Sequence, residues 1–304
     1  MPRGWERAKG GLPISPGCTF RRSGAVGALL PSLAPGRARK RPQAVPCLRT
    51  APTKDARHDQ TKELIGRRAL VTGGTRGIGA AISQRLLDAG AKVVVTARSR
   101  GETLPAGAAF VAGDVASASG VKAIAAGALE ALGGLDILVN NAGGASGFPQ
   151  GTASIPDEAW QAAFALNLFA AIRLTNALLP ALRESKAGAI VNISSGAATM
   201  AVGAVAHYGA AKAALNSYSR SLAIDLAPSK IRVNVVSPGP VTTPGSREFS
   251  DALGAPPDLF AKEVPLGRYG SPEDLAEVVA LLLSDRGKWM TGGNIHVDGG
   301  MTAR

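Results

Sequence analysis

Cysteine occurs only at Cys18 and Cys47 in the 304 residues, so the chain beyond residue 47 has no disulfide, no thiol nucleophile and no thiolate metal site. Histidine is almost as scarce. His58, His207 and His296 lie far apart and offer no ligand spacing, which argues against metal catalysis. No apolar run reaches the ~18 residues that span a bilayer; the most helix-like apolar stretch, 162–182, is interrupted by Asn167, Arg173, Asn176 and Pro180. Acidic residues are nearly missing from the first 58 positions, where nine Arg and three Lys face only Glu6 and Asp55. That segment carries +10 of the total +12, leaving +2 for the rest, so the high isoelectric point belongs to the leader.

The leader also holds eight of the twenty prolines and no sustained apolar periodicity. A segment of this kind cannot bury enough surface to offset chain entropy, and residues 1–60 are expected to be a disordered basic leader ahead of a single folded domain at 61–304. Three origins stay open. An Arg-rich, acid-poor leader suits an organelle transit peptide; Arg21-Arg22 followed by a short apolar run broken at Pro31 faintly suits a twin-arginine export signal; or translation truly begins later than Met1, although no Met lies between Met1 and Met200. Charge alone would let the leader touch polyanions. With only Trp5 and Phe20 as aromatics, however, specific nucleic-acid binding is not expected.

From Lys62 onward, short apolar runs alternate with longer amphipathic stretches, the pattern of repeated strand–helix units around a parallel sheet. Strands are expected at 68–72, 92–97, 108–112, 135–140, 189–194, 231–236 and 294–297, and helices at 77–88, 117–132, 157–182, 205–226 and 272–284. The last helix has Ser271 as N-cap, Pro272 at its first position and acids in its first turn. The proline-rich segment 238–264 reads as an irregular lid, and 145–150 as a loop of small residues that constrains little.

The chemistry is carried by Tyr208 and Lys212 on one helix face, Ser195 thirteen residues upstream, and the turn Thr72-Gly73-Gly74-Thr75-Arg76-Gly77-Ile78-Gly79 near the start. At i and i+4 the Lys212 ammonium is expected to sit beside the Tyr208 phenol and favour its ionised form. Gly73, Gly77 and Gly79 let the backbone take φ > 0 or approach a pyrophosphate, and the helix that follows offers free N–H groups and a positive dipole end. At the end of the second strand, Ala97 stands where an NAD-binding enzyme would place a carboxylate. Arg98 and Arg76 can instead hold a 2′-phosphate, favouring NADP(H) over NAD(H).

Residues 62–304 resemble the short-chain dehydrogenase/reductase family, and within it members similar to 3-oxoacyl-acyl-carrier-protein reductases. The matching motifs are TGGTRGIG at 72–79, Asp114-Val115, Asn140-Asn141-Ala142-Gly143, Asn167, Ser195, Tyr208 with Lys212, and Pro238-Gly239. The resemblance implies a Rossmann-like, doubly wound α/β sheet of about seven parallel strands in one domain. It implies catalysis by Ser195, Tyr208, Lys212 and Asn167, with Tyr208 as acid/base in interconverting a ketone and a secondary alcohol. Lys212 would also bind the nicotinamide ribose, and Asn167 would serve a proton relay. Cofactor contacts are expected from Thr72, Gly73, Thr75, Arg76, Gly77, Ile78, Gly79, Arg98, Asp114, Val115, Asn141, Ala142, Gly143, Tyr208, Lys212, Pro238, Gly239, Val241 and Thr243. Arg247, Phe249, Leu253 and Phe260 mix basic and apolar groups, compatible with acyl-thioester, sugar, steroid or small cyclic ketones. The expected setting is cytoplasmic, or organellar if the leader is a transit peptide, and the expected assembly a homodimer or homotetramer. A cofactor-binding sensor or scaffold without catalysis is the alternative, because a fold does not fix a function.

Overall fold

Short runs rich in Val, Ile and Leu pair in parallel to form seven strands: β1 Arg68–Thr72, β2 Lys92–Ala97, β3 Ala109–Ala112, β4 Ile137–Asn140, β5 Ala189–Ile193, β6 Arg232–Pro238 and β7 Asn294–Val297. The computed structural model describes residues 62–101, 104–252, 254–256 and 258–303. The leader assigned to 1–60 and the lid residue Leu253 lie outside the described residues. The sheet order is β3-β2-β1-β4-β5-β6-β7, so the chain winds outward from β1 in one direction and from β4 in the other. This is a doubly wound Rossmann-like sheet, and its crevice for ligands opens at the carboxyl ends of β1 and β4.

The two-residue period of a strand assigns each apolar side chain to a face. Ala69 and Val71 of β1, Val93 and Val95 of β2, and Ile137 and Val139 of β4 pack with helices α1 (Gly77–Asp88) and α7 (Pro272–Leu283). The alternate residues Leu70, Val94 and Leu138 pack on the other face with α2 (Ala118–Leu132), α4 (Ala170–Glu184) and α5 (Ala206–Leu226). Because both faces are covered, the strands read as continuous apolar runs.

Helix ends follow their caps. Ser117 accepts a hydrogen bond from Gly120 N at 3.0 Å to open α2, and Gly133, at φ 69°, closes it. Ser271 and Asp274 form a reciprocal capping box that opens α7 with Pro272 in its first turn. β4 begins at Ile137 although Leu135 is fully buried, because the Asp136 carboxylate takes the Arg68 backbone N–H at 2.9 Å. β6 runs two residues beyond the expected 236, because its pairing with β7 continues to Pro238 opposite Val297.

Two expectations are corrected. The helix anticipated over 157–182 is α3 (Asp157–Phe164), a π-helical turn at Ala165–Phe169, and α4. Together Asp157–Glu184 are long and apolar enough to cross a membrane, but Leu174, Leu178 and Leu182 are at most 1% exposed and belong to the core. The irregular lid anticipated over 238–264 contains α6 (Pro244–Ala252) and a short helical turn at Ala261–Glu263. Pro244 opens α6, since proline is tolerated where the helix lacks a backbone acceptor, and Thr243 and Ser246 exchange backbone-to-hydroxyl bonds of 2.9 and 3.0 Å around it.

Candidate active site

The glycine turn leaves β1 at Thr72 and enters α1 at Gly77, with φ +63° at Gly73 and +55° at Gly77. A Cβ on Gly79 would collide with the Gly73 carbonyl and the Asn141 amide, so the backbones of turn and helix close on each other only because that carbon is missing. Thr72 Oγ1 accepts from Asn141 N at 3.0 Å and Ala142 N at 2.9 Å, while Asn141 Nδ2 donates to the carbonyls of Thr72 at 2.8 Å and Gly73 at 3.2 Å. Asn141 and Ala142 thus lace the end of β4 to the glycine turn. Thr75 and Ile78 are half-buried in that turn, and Arg76 is exposed at the start of α1.

Asn140, one residue back, faces the core instead and donates to Asn192 Oδ1 at 2.8 Å, and Asn192 donates on to Ser219 at 2.8 Å. This buried polar chain ties β4 and β5 to α5, the helix that carries Tyr208 and Lys212. Lys212 is 3% exposed, its Nζ donates to the Ile193 carbonyl at 2.8 Å, and it lies 5.8 Å from the Tyr208 ring centre. Ser195 follows β5 in an extended conformation, with its Oγ accepting from Ala197 N at 3.2 Å.

Asn167 sits in the π-helical turn, 2% exposed. Its Nδ2 donates to Ala163 O and Gly144 O, both at 3.0 Å, and its Oδ1 accepts from Gly144 N at 3.1 Å. The side chain therefore competes for the helix's own carbonyl where the helix widens, a distortion frequent at functional sites. A Cβ on Gly143 would stand 2.8 Å from Asn167 Oδ1 and 3.1 Å from Lys212 Nζ, so Gly143, Asn167 and Lys212 converge on one point. A small cavity beside them is lined by Thr72, Asn140, Ala142, Asn167, Lys212 and Leu215.

The expectation that Lys212 lowers the Tyr208 pKa is not met by this chain alone. Burial pushes the Tyr208 phenol up, with hydrogen bonding to Ser195 acting in the opposite direction. Burial also lowers the Lys212 ammonium from 10.5 to about 8. Both groups resist charge because the fold buries Lys212 and half-buries Tyr208, and the helical spacing alone does not decide the balance.

The remaining expected residues line the same edge. Val115 is buried after β3, and Asp114 is exposed, its Oδ1 accepting from Ala116 N at 2.9 Å in a local turn. Arg98 is exposed just after β2, next to half-buried Ala97. Pro238 ends β6, and Gly239 fits only because a Cβ there would press on the Asp298 backbone 2.6 Å away. Val241 is buried and bridges to Gly270, and Thr243 reaches to 3.4 Å from where a Gly77 Cβ would be. Lid helix and glycine turn are therefore neighbours.

One residue of the site carries no signal in the sequence. His207, 2% exposed, meets Phe148 edge-on with ring centres 5.3 Å apart and Trp160 at 6.2 Å, and burial lowers its pKa. The Phe148 N–H donates to the Ala204 carbonyl at 2.9 Å, so the 145–150 loop, expected to constrain little, is pinned to the segment leading into Tyr208. Only the fold brings Phe148 and Trp160 to His207.

A glycine turn at the switch point of the sheet, beside a serine that follows β5 and a tyrosine and lysine on α5, is the arrangement of a nicotinamide-dependent oxidoreductase. A family model described as "Enoyl-(Acyl carrier protein) reductase" matches residues 73–302. The 3-oxoacyl-[acyl-carrier-protein] reductase FabG of Escherichia coli is 38% identical over 242 residues, covering 78% of this chain and 97% of that protein. The rhamnolipids biosynthesis 3-oxoacyl-[acyl-carrier-protein] reductase of Pseudomonas aeruginosa is 38% identical over 250 residues, covering 78% and 96%. Among solved structures, the Pseudomonas aeruginosa RhlG/NADP active-site complex superposes with a TM-score of 0.73 at 36% identity, covering 80% of this chain and 99% of that one. The ligand-free aldohexose dehydrogenase of Thermoplasma acidophilum gives 0.74 at 30% identity, covering 80% and 97%. The chain belongs to the short-chain dehydrogenase/reductase family and is an oxidoreductase.

Proposed function

We propose that the protein is an NADP(H)-dependent carbonyl reductase or alcohol dehydrogenase that interconverts a ketone and a secondary alcohol, with Tyr208 as the acid/base. The observation that carries this reading is the meeting of Ser195, Tyr208, Lys212 and Asn167 beside a glycine cradle. The cradle suits the cofactor: a Cβ at Gly73 would press on Ala142 at 3.2 Å, and α1 begins there with its free N–H groups. When bound, the cofactor supplies or accepts the hydride at the substrate carbon.

The chain's own residues do the rest. Tyr208, kept protonated by burial, donates its phenolic proton to the substrate oxygen. Ser195 places a hydroxyl beside that phenol and stabilises negative charge developing on the oxygen. Lys212 positions the nicotinamide ribose and, as an ammonium, holds the phenolate that forms. Asn167, fixed by Gly144 and Ala163, returns protons through the small cavity next to Lys212. Arg98 and Arg76 select the 2′-phosphate, with Ala97 leaving no carboxylate to oppose it. Backbone and short side chains of Asn141, Ala142, Gly143, Val241 and Thr243 complete the cofactor contacts.

The domain proposed spans 61–304 as a cytoplasmic homodimer or homotetramer. A ketone panel monitored by nicotinamide absorbance tests the activity. Ala97→Asp with Arg98→Ala should raise kcat/KM for NADH relative to NADPH by at least about tenfold, since each lost charge-assisted bond is worth ~1.5–3 kcal/mol. A native enzyme that prefers NADH refutes the cofactor assignment.

A further inference from the structure

Arg76, needed for the 2′-phosphate, already has an anionic partner. Its Nη1 donates to Glu248 Oε1 at 2.6 Å, across 172 residues of chain, and both side chains are about 60% exposed. The contact is set by backbone architecture. Arg76 is the extended N-cap residue of α1, so its side chain leaves the glycine turn at the helix start. Glu248 lies in α6, whose first turn is fixed by the reciprocal Thr243–Ser246 bonds, with Thr243 held against Gly77. One guanidinium at the mouth of the cofactor cradle thus stands between a carboxylate on the lid helix and the place where a 2′-phosphate would arrive.

A guanidinium binds phosphate and carboxylate through the same fork of N–H groups, so an arginine engaged in both shares its donors between them. NAD(H) has no 2′-phosphate and leaves the Arg76–Glu248 pair untouched.

We propose that Glu248 is a cofactor-specificity residue, whose carboxylate competes with the 2′-phosphate of NADP(H) for Arg76 and so couples phosphate binding to release of the lid helix from the glycine turn. The inference rests on the NADP(H) reading given above. By linkage, whatever frees α6 from Arg76 strengthens NADP(H) binding by the same factor that NADP(H) favours the freed lid. Glu248 therefore tempers the phosphate preference and ties the substrate side of the cleft to the cofactor side.

The test is fluorescence titration of NADPH and NADH against the full chain, its Glu248→Gln and Arg76→Ala variants, and the double variant. An exposed ion pair of this kind moves a competing equilibrium about two- to fivefold. Glu248→Gln should tighten NADPH by that factor at low ionic strength, leave NADH unchanged, and lose its advantage at high salt. The gain should vanish in the Arg76→Ala background. Tightening below about twofold, weaker NADPH binding or an equal gain for NADH overturns the proposal; so does a gain that persists without Arg76, which would make Glu248 a direct repeller of phosphate. A wild-type chain that binds NADH more tightly than NADPH overturns the NADP(H) reading and this proposal together, whereas NADPH preference with an unresponsive Glu248 overturns this proposal alone.

Discussion

Lys212→Met should stabilise the cofactor-free enzyme while destroying its activity. Burial lowers the ammonium from its ordinary 10.5 to about 8, so at pH 7 the folded chain holds a charge that its surroundings disfavour. At ~1.4 kcal/mol per tenfold change in proton affinity, the buried charge costs on the order of 3 kcal/mol of folding stability. Methionine fills a similar volume without charge, but it deprives the Ile193 carbonyl of the 2.8 Å bond from Nζ, a loss of about 1 kcal/mol. The net gain is ~2 kcal/mol, or about 5 °C in Tm at the scaling for a domain of this size.

The sign has a pH signature. The folded state binds fewer protons than the unfolded one between pH about 8 and 10.5, so wild type gains stability over that range while the methionine variant does not. Tyr208 titrates in both proteins, and their difference isolates the lysine. The assay is urea unfolding without cofactor at a series of pH values. A methionine variant that melts at or below wild type at pH 7, or a difference that stays flat across the range, would refute the reasoning.

Tyr208→Phe should lower turnover by about two to four orders of magnitude, as expected for loss of a positioned acid, with NADPH affinity close to native by titration; retention of most turnover would dismiss Tyr208 as the proton donor. Gly79→Ala should cost ~1–3 kcal/mol and weaken cofactor binding, because the added carbon meets the Gly73 carbonyl and Asn141; an unchanged melt together with unchanged affinity contradicts that packing. A chain starting at Asp59 should unfold cooperatively and stay active, whereas one starting after Ile65 should lose ~2–5 kcal/mol. The longer deletion removes fully buried Leu64 and the Glu63 carboxylate that bonds Arg85 at 2.8 Å, so equal melts for the two chains would place the domain boundary elsewhere.

The elements of this fold were legible because their causes are local. Apolar runs bounded by turns marked all seven strands within two residues, and Ser271, Pro272 and the acids of the first turn marked the start of α7 from neighbouring side chains. The glycine turn could be read because φ > 0 at Gly73 and Gly77 is a property of the residues themselves. The lid helix α6 was missed because four prolines were read as breakers, when Pro244 stands in a helix's first turn, where the backbone N–H has no intrahelical acceptor.

The tertiary structure decided what depends on distant partners and on exclusion of water. The sheet order places β1 beside β4, which sets the glycine turn and the candidate catalytic residues at one edge. The π-helical turn follows from Asn167 meeting Gly144, a loop residue 23 positions away, and helix periodicity gives no sign of it. His207 acquires its neutral, aromatic surroundings from Phe148 and Trp160, and Arg76 acquires Glu248, from segments that only folding joins. The four-residue spacing of Tyr208 and Lys212 put both on one helix face, but the direction of their pKa shifts was set by burial, because desolvation belongs to the assembled protein and to no stretch of its chain.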